Sequence, residues 1–147
     1  MNTELLKQEF YKLIESKVYG EYKIKAYSHS IQVSTICMML ARKRGLDLEA
    51  CEIMGLYHDI SKYTSRVSKL HGTYSAQILE ELLKQYPIAL EKEILHAICV
   101  HSNKSTIDDD YSECLKDADT YASFLQEPQQ VLSKEREERV RRIENEI

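Results

Sequence analysis

Histidine and aspartate recur along this chain in an order that suits metal-assisted hydrolysis: His29, the dipeptide His58-Asp59, then His71, His101 and Asp119. A single imidazole on an apolar helix face is more often a hydrogen-bonded core residue than a ligand. Asp119 resists that reading, because burying a carboxylate without a partner costs on the order of several kcal/mol. A shared, buried metal centre, dinuclear by the number of donors, accounts for the whole series economically. Imidazole and carboxylate without thiolate suit iron, manganese, nickel or zinc. Asp59 is the expected bridge, since a carboxylate can offer one oxygen to each of two ions. Ions roughly 3.5–4 Å apart would hold a hydroxide between them, acidic enough to attack at neutral pH. That is the chemistry of phosphoester hydrolysis, though not uniquely.

Other side chains have plainer alternatives. Lys62 lies one helical turn past Asp59 and is either a solvated loop lysine or a cation placed to hold substrate phosphate. Arg66, Lys69 and Lys104 could serve similarly, and each alone also reads as surface. His96 precedes His101 by five residues, which on a helix turns it about 140° away. Its neighbours Lys92, Glu93 and Val100 form a mixed face, whereas His101 lies with Ile94, Ala97 and Ile98. His101 is therefore the expected ligand and His96 a surface residue or one behind the ligands.

The elements that must carry these residues are helical. With only four glycines, two prolines and almost no strand-type alternation, the pattern predicts an all-α domain of about six to seven helices. Helix one spans about Thr3 to Val18. Helix two, about Tyr22 to Arg44, carries His29, Val33, Ile36 and Leu40 on one stripe, ended by Gly45. Asp47 looks like the next N-cap, and helix three runs from Leu48 to about Ile60. The connection from Ser61 to Arg66 reads as polar and exposed. Helix four follows from His71 to Tyr86, helix five from Ile88 to about His101, and helix six from Tyr111 to Leu125. Asp110-Tyr-Ser-Glu113 reads as a capping box. From Val131 to Ile147 the chain reads as a charged, solvated helix laced by Glu135/Arg139, Glu137/Arg141 and Glu138/Arg142. Its narrow stripe of Val140, Ile143 and Ile147 suits packing on the domain or on a second subunit, which leaves a homodimer open.

Composition narrows the class. The 147 residues fit one domain, with its core within residues 22–126 and the charged C-terminal stretch at 129–147. At 43% hydrophobic and 30% charged, the composition is that of a globular protein. No apolar run approaches the roughly 20 residues needed to span a bilayer, and no signal-peptide pattern opens the chain. The cytoplasm is the expected location, with no membrane partner. A net charge of −4 without a broad basic tract argues against nucleic acid as a partner. The four cysteines form no C-x-x-C pair and read as small core hydrophobes.

Five stretches, taken together and in order, resemble the HD-domain metal-dependent phosphohydrolases. They are Tyr27-Ser-His29-Ser, Leu56-Tyr-His58-Asp59-Ile-Ser-Lys62, Leu70-His71-Gly-Thr-Tyr-Ser-Ala76, Ala97-Ile-Cys-Val-His101-Ser and Lys116-Asp-Ala-Asp119. Within that family the look is nearest to the small YqeK-type proteins, symmetrical diadenosine tetraphosphate hydrolases with a dinuclear iron site. The resemblance implies His29, His58, Asp59 and Asp119 on one metal, and Asp59, His71 and His101 on a second. It implies iron as the favoured metal, Asp59 and Lys62 as catalytic residues, Lys62 against a substrate phosphate, and a small nucleotide as the partner. Asp117 competes with Asp119, but the family's Ala-Asp dipeptide falls on Ala118-Asp119. Two segments depart from the YqeK pattern. Ser102-Asn103-Lys104-Ser105 stands where Thr-Thr-Gly-Arg is usual, and Glu127-Pro128-Gln129 where Glu-Pro-Gly-Arg is expected. Lys104 could replace the absent arginine as a point charge. The same ligand set also resembles the HD-type diiron oxygenases, and a non-catalytic nucleotide-binding HD module is a third reading.

Overall fold

Apolar residues at helical spacing, punctuated by Gly45, Asp47 and Pro87, dictate an all-α architecture, and the computed structural model, which describes residues 1–147, has helices and no strand. In chain order these are α1 (Asn2–Lys17), α2 (Gly20–Arg44), α3 (Leu48–Tyr57), α4 (Ile60–Ser65), α5 (His71–Gln85), α6 (Glu91–Val100), α7 (Asp110–Gln126) and α8 (Lys134–Glu146). No helix is long and apolar enough to cross a membrane.

The short, apolar α3 is the hub. Its residues from Ile53 to Tyr57 are all buried, and α1, α2, α5, α6 and α7 pack around it. A Cβ on Gly55 would lie 2.7 Å from the Ser34 Cα, so only glycine lets α2 and α3 approach this closely. Gly72 does the same for α5 on α6, where a Cβ would meet the Ile98 carbonyl oxygen at 2.7 Å. Gly72→Ala forces those two helices apart and should destabilise the protein by about 1–3 kcal/mol. A thermal melt should show that as a fall of roughly 2–4 °C per kcal/mol.

Several local expectations meet their physical limits here. The Asp47 side chain accepts from the Ala50 amide at 2.9 Å, as an N-cap should, and Gly45 closes α2 with φ 71°. Helix three, however, stops at Tyr57 rather than continuing to Ile60, and the chain resumes as α4. The stretch from Ser61 to Arg66, expected as an exposed connection, is therefore mostly helix, and only its end at Ser65 and Arg66 is exposed. Ser61 and Tyr63 are buried, with the Ser61 amide on the Ser75 hydroxyl and the Tyr63 ring against Tyr22. The N-cap of α7 is Asp109, one residue before the expected one. Its carboxylate accepts from the Ser112 amide and hydroxyl, while Glu113 accepts from the Asp108 amide.

The C-terminal helix departs furthest from expectation. Of its three anticipated i,i+4 pairs only Glu137–Arg141 forms, at 2.7 Å. Arg139 is 2% exposed and reaches Glu113 and Asp117 at 2.9 Å each, and Arg142 joins it on Asp117. Arg44 at the end of α2 supplies a third guanidinium to Asp117 at 2.7 Å and also pairs with Glu146. One buried carboxylate thus fastens α2, α7 and α8. Val140 and Ile143 complete the attachment, whereas Ile147 is exposed.

Candidate metal centre

Four helices and the break between two others deliver the histidines and aspartates to one point. His29 descends from the middle of α2, and His58-Asp59 occupies the break between α3 and α4. His71 opens α5, His101 follows α6, and Asp119 lies on the inner face of α7. Their donor atoms form two groups that share Asp59: His29, His58, Asp59 and Asp119, and Asp59, His71 and His101.

Asp59 divides its oxygens between them. Oδ2 lies 3.5 Å from His29 Nε2 and 3.2 Å from His58 Nε2, while Oδ1 lies 3.0 Å from His71 Nε2 and 3.1 Å from His101 Nε2. Asp119 Oδ1 closes the first group, 3.0 Å from His29 Nε2 and 3.3 Å from His58 Nε2. The imidazole nitrogens also face each other, at 3.3 Å for His29–His58 and 3.1 Å for His71–His101.

The far side of three rings fixes what those nitrogens present. The Nδ1–H of His58, His71 and His101 donates to the carbonyl three residues earlier, on Gly55, Ser68 and Ile98, at 2.7–2.8 Å. In the neutral ring this leaves the Nε2 lone pair directed inward. Lone pairs on nitrogen and carboxylate oxygen separated by 3.0–3.3 Å repel unless something positive sits among them. Such separations are also the edge lengths of a coordination polyhedron with bonds of about 2.1 Å. The donor set therefore fits divalent cations, and these six side chains are the ones that would hold them.

Without a cation, protons must serve. Burial alone would hold His58 down, but the Asp59 and Asp119 carboxylates outweigh it and push the imidazole up to about 10. Hydrogen bonding to Asp59 likewise raises His71, whereas burial keeps His101 low. Burial would raise both aspartates, yet His58 and its neighbouring imidazoles hold Asp59 well below the usual carboxylate range, and Lys104 does the same for Asp119. A cation entering at pH 7 must displace the His58 proton. Calorimetric titration in buffers of different ionisation enthalpy should therefore show proton release, and affinity should fall about tenfold per pH unit lost for each displaced proton.

Around the donors lies a cleft of about 650 Å³ onto which His29, Asp59, His71, His101 and Asp119 open. Lys62 lines it, half-buried. Lys104 lines it too, but is neither a surface lysine nor a free one. It is 7% exposed, and its ammonium is already on Asp119 Oδ2 at 2.9 Å and the His101 carbonyl at 2.6 Å. Arg66 lies outside the cleft, its guanidinium over the Tyr22 ring at 4.1 Å, and Lys69 is exposed elsewhere. His96 is exposed and nearest to Asp109, at 3.6 Å. Asp117, two residues from Asp119 and so on the opposite face of α7, is held by arginines instead.

Lys25 and Arg136 also reach the cleft and went unread in the sequence. Lys25 carried a signal, since it precedes His29 by four residues and shares its helix face. Arg136 carried none, being one basic residue among several in a charged run.

The family model described as HD domain matches residues 26–123 of this chain. Among curated proteins, the Ribonuclease Y of Nitratidesulfovibrio vulgaris is 36% identical over 73 residues, half of this chain and 13% of that protein. Ribonuclease Y of Lawsonia intracellularis is 35% identical over 80 residues, 54% of this chain and 14% of the relative. That of Geotalea uraniireducens is 32% identical over 94 residues, 63% of this chain and 17% of the relative. The chain thus spans less than a fifth of the length of these relatives. No solved structure shows a significant match.

Proposed function

This chain belongs to the HD-domain family, whose members are typically metal-dependent hydrolases, and from that premise we propose that it cleaves a phosphoester or phosphoanhydride bond of a nucleotide. The substrates we favour include the dinucleoside polyphosphates handled by YqeK-type proteins. The observation that carries the reading is the division of Asp59 between two groups of inward nitrogens, one oxygen to each. Two divalent ions held there, iron by preference, would lower the pKa of a water molecule and neutralise charge on phosphate oxygens.

The chain's own residues do the rest. The backbone carbonyls of Gly55, Ser68 and Ile98 keep three imidazoles in the donor-ready tautomer. Lys104 neutralises the outer oxygen of Asp119 and so holds the inner one in place. Lys62 lines the cleft, and its ammonium would take a non-bridging phosphate oxygen as charge develops there.

Protein purified without chelator and reloaded with iron or manganese should release phosphate or nucleotide from a panel of phosphodiesters, nucleotides, dinucleoside polyphosphates and short RNA. Turnover confined to RNA would transfer the assignment to the chemistry that the relatives' name describes. Oxygen uptake without phosphate release would favour the oxygenase reading, and ligand-induced stabilisation without turnover would favour a binding module.

A further inference from the structure

The cleft extends past the donor groups to a rim built by three helices: Lys25 from α2, Lys62 from α4 and Arg136 from α8. What sets these cations apart is the absence of a protein partner. Near Lys25, Lys23 is paired with Glu15 at 3.5 Å. On α8, Arg139 and Arg142 are on Asp117 and Arg141 is on Glu137. Arg136 is that helix's one arginine whose guanidinium has no carboxylate, and it is the one that faces the cleft. Against the three positive charges of the rim the cleft lining sets one outer carboxylate, Glu127. The other lining residues away from the donors are neutral and polar, Ser123, Gln126 and Gln130, while the Ser102 hydroxyl lies 3.2 Å from His71 Nε2.

Of the 15 residues that line the cleft only one is hydrophobic, Tyr63, and its side chain is packed into the core. A nucleobase finds no apolar shelf to stack on, whereas an anion finds unneutralised cations from three helices. We infer that Lys25 and Arg136 form a subsite for a second phosphate, distinct from the one that Lys62 takes at the donor groups, so that the site selects substrates by their phosphate chain rather than by their base. The inference rests on the phosphohydrolase reading and narrows it from phosphoesters at large to phosphoanhydrides and polyphosphates.

Lys25 and Arg136 are exposed and make no intramolecular ion pair, so their glutamine variants should fold as the parent does. The full chain, as purified and without added chelator, is titrated calorimetrically with methylenediphosphonate and with methylphosphonate, neither of which it can hydrolyse at an ester. The diphosphonate should bind at least about tenfold more tightly. Arg136→Gln and Lys25→Gln should each reduce that preference by about three- to tenfold, and raised salt should erode it further. Because both variants keep every donor of the metal centre, any sequestering of metal by the diphosphonate would be equal in all three proteins. Equal binding of the two phosphonates by the parent, or an undiminished preference in both variants, would overturn the subsite. Loss of the hydrolase reading looks different: neither a phosphoester nor a phosphoanhydride is turned over under any metal, while the diphosphonate preference and its dependence on Arg136 persist.

Discussion

Asp59→Asn is expected to leave the helical content intact and lower the hydrolytic rate by about 10³-fold or more, an effect equivalent to roughly 4 kcal/mol of lost charge stabilisation. The carboxylate serves both donor groups, Oδ2 towards His29 and His58 and Oδ1 towards His71 and His101. Asparagine keeps the shape but presents an acceptor to one group and an N–H donor to the other, and it removes a negative charge from between four imidazoles. Elemental analysis of protein purified without chelator should show metal content reduced together with turnover. Circular dichroism and a thermal melt separate this loss from unfolding. Full metal content and an unchanged rate in the variant would remove Asp59 from the centre of the mechanism.

The second large effect is expected far from the cleft floor. Arg139→Met keeps the unbranched stem of the side chain but removes the guanidinium and its five hydrogen bonds to Glu113, Asp117 and the carbonyls of Lys104 and Thr106. Breaking a buried charge network from one side costs about 3–5 kcal/mol, or about 10 °C in melting temperature for a chain of this size. The backbone that Arg139 grips is that of Lys104, whose ammonium holds Asp119, so metal affinity should fall as well, by about 10- to 100-fold. Competition with a chromogenic chelator reads that second effect. Arg139→Lys, which keeps the charge without the planar fork, should fall between the parent and the methionine variant. A methionine variant that melts like the parent would show that Arg44 and Arg142 suffice to hold Asp117.

The two effects mark how far the sequence could be read. The donor residues were legible because each combines a coordinating group with an apolar helix face, and because burial of Asp119 demands compensation. Asp47 and Gly45 were legible because capping is a local matter. The break after Tyr57 was not, because it arises where His58 bonds back to the Gly55 carbonyl and α4 buries Tyr63 against Tyr22, and serine- and threonine-rich runs otherwise read as loops. Arg139 was unreadable for the opposite reason. Glu135 four residues earlier offered an adequate local partner, and only the fold reveals that Asp117, 22 residues away in sequence, takes it instead. Asp117 itself looked like a rival to Asp119 until the helix turned the two to opposite sides of α7.

The Ile98 carbonyl has a double duty: it braces His101 from behind at 2.7 Å, and it is the floor against which Gly72 rests. His71 immediately precedes that glycine. The gap between two rings is consequently set by how closely two stretches of main chain can be pressed together, not by the rings themselves. The centre behaves like a caliper whose jaws are imidazoles and whose stop is a missing methyl group. An ion of the wrong radius would have to be accommodated by shifting whole helices, so tolerance for ionic size is written into a backbone contact that never touches the ion.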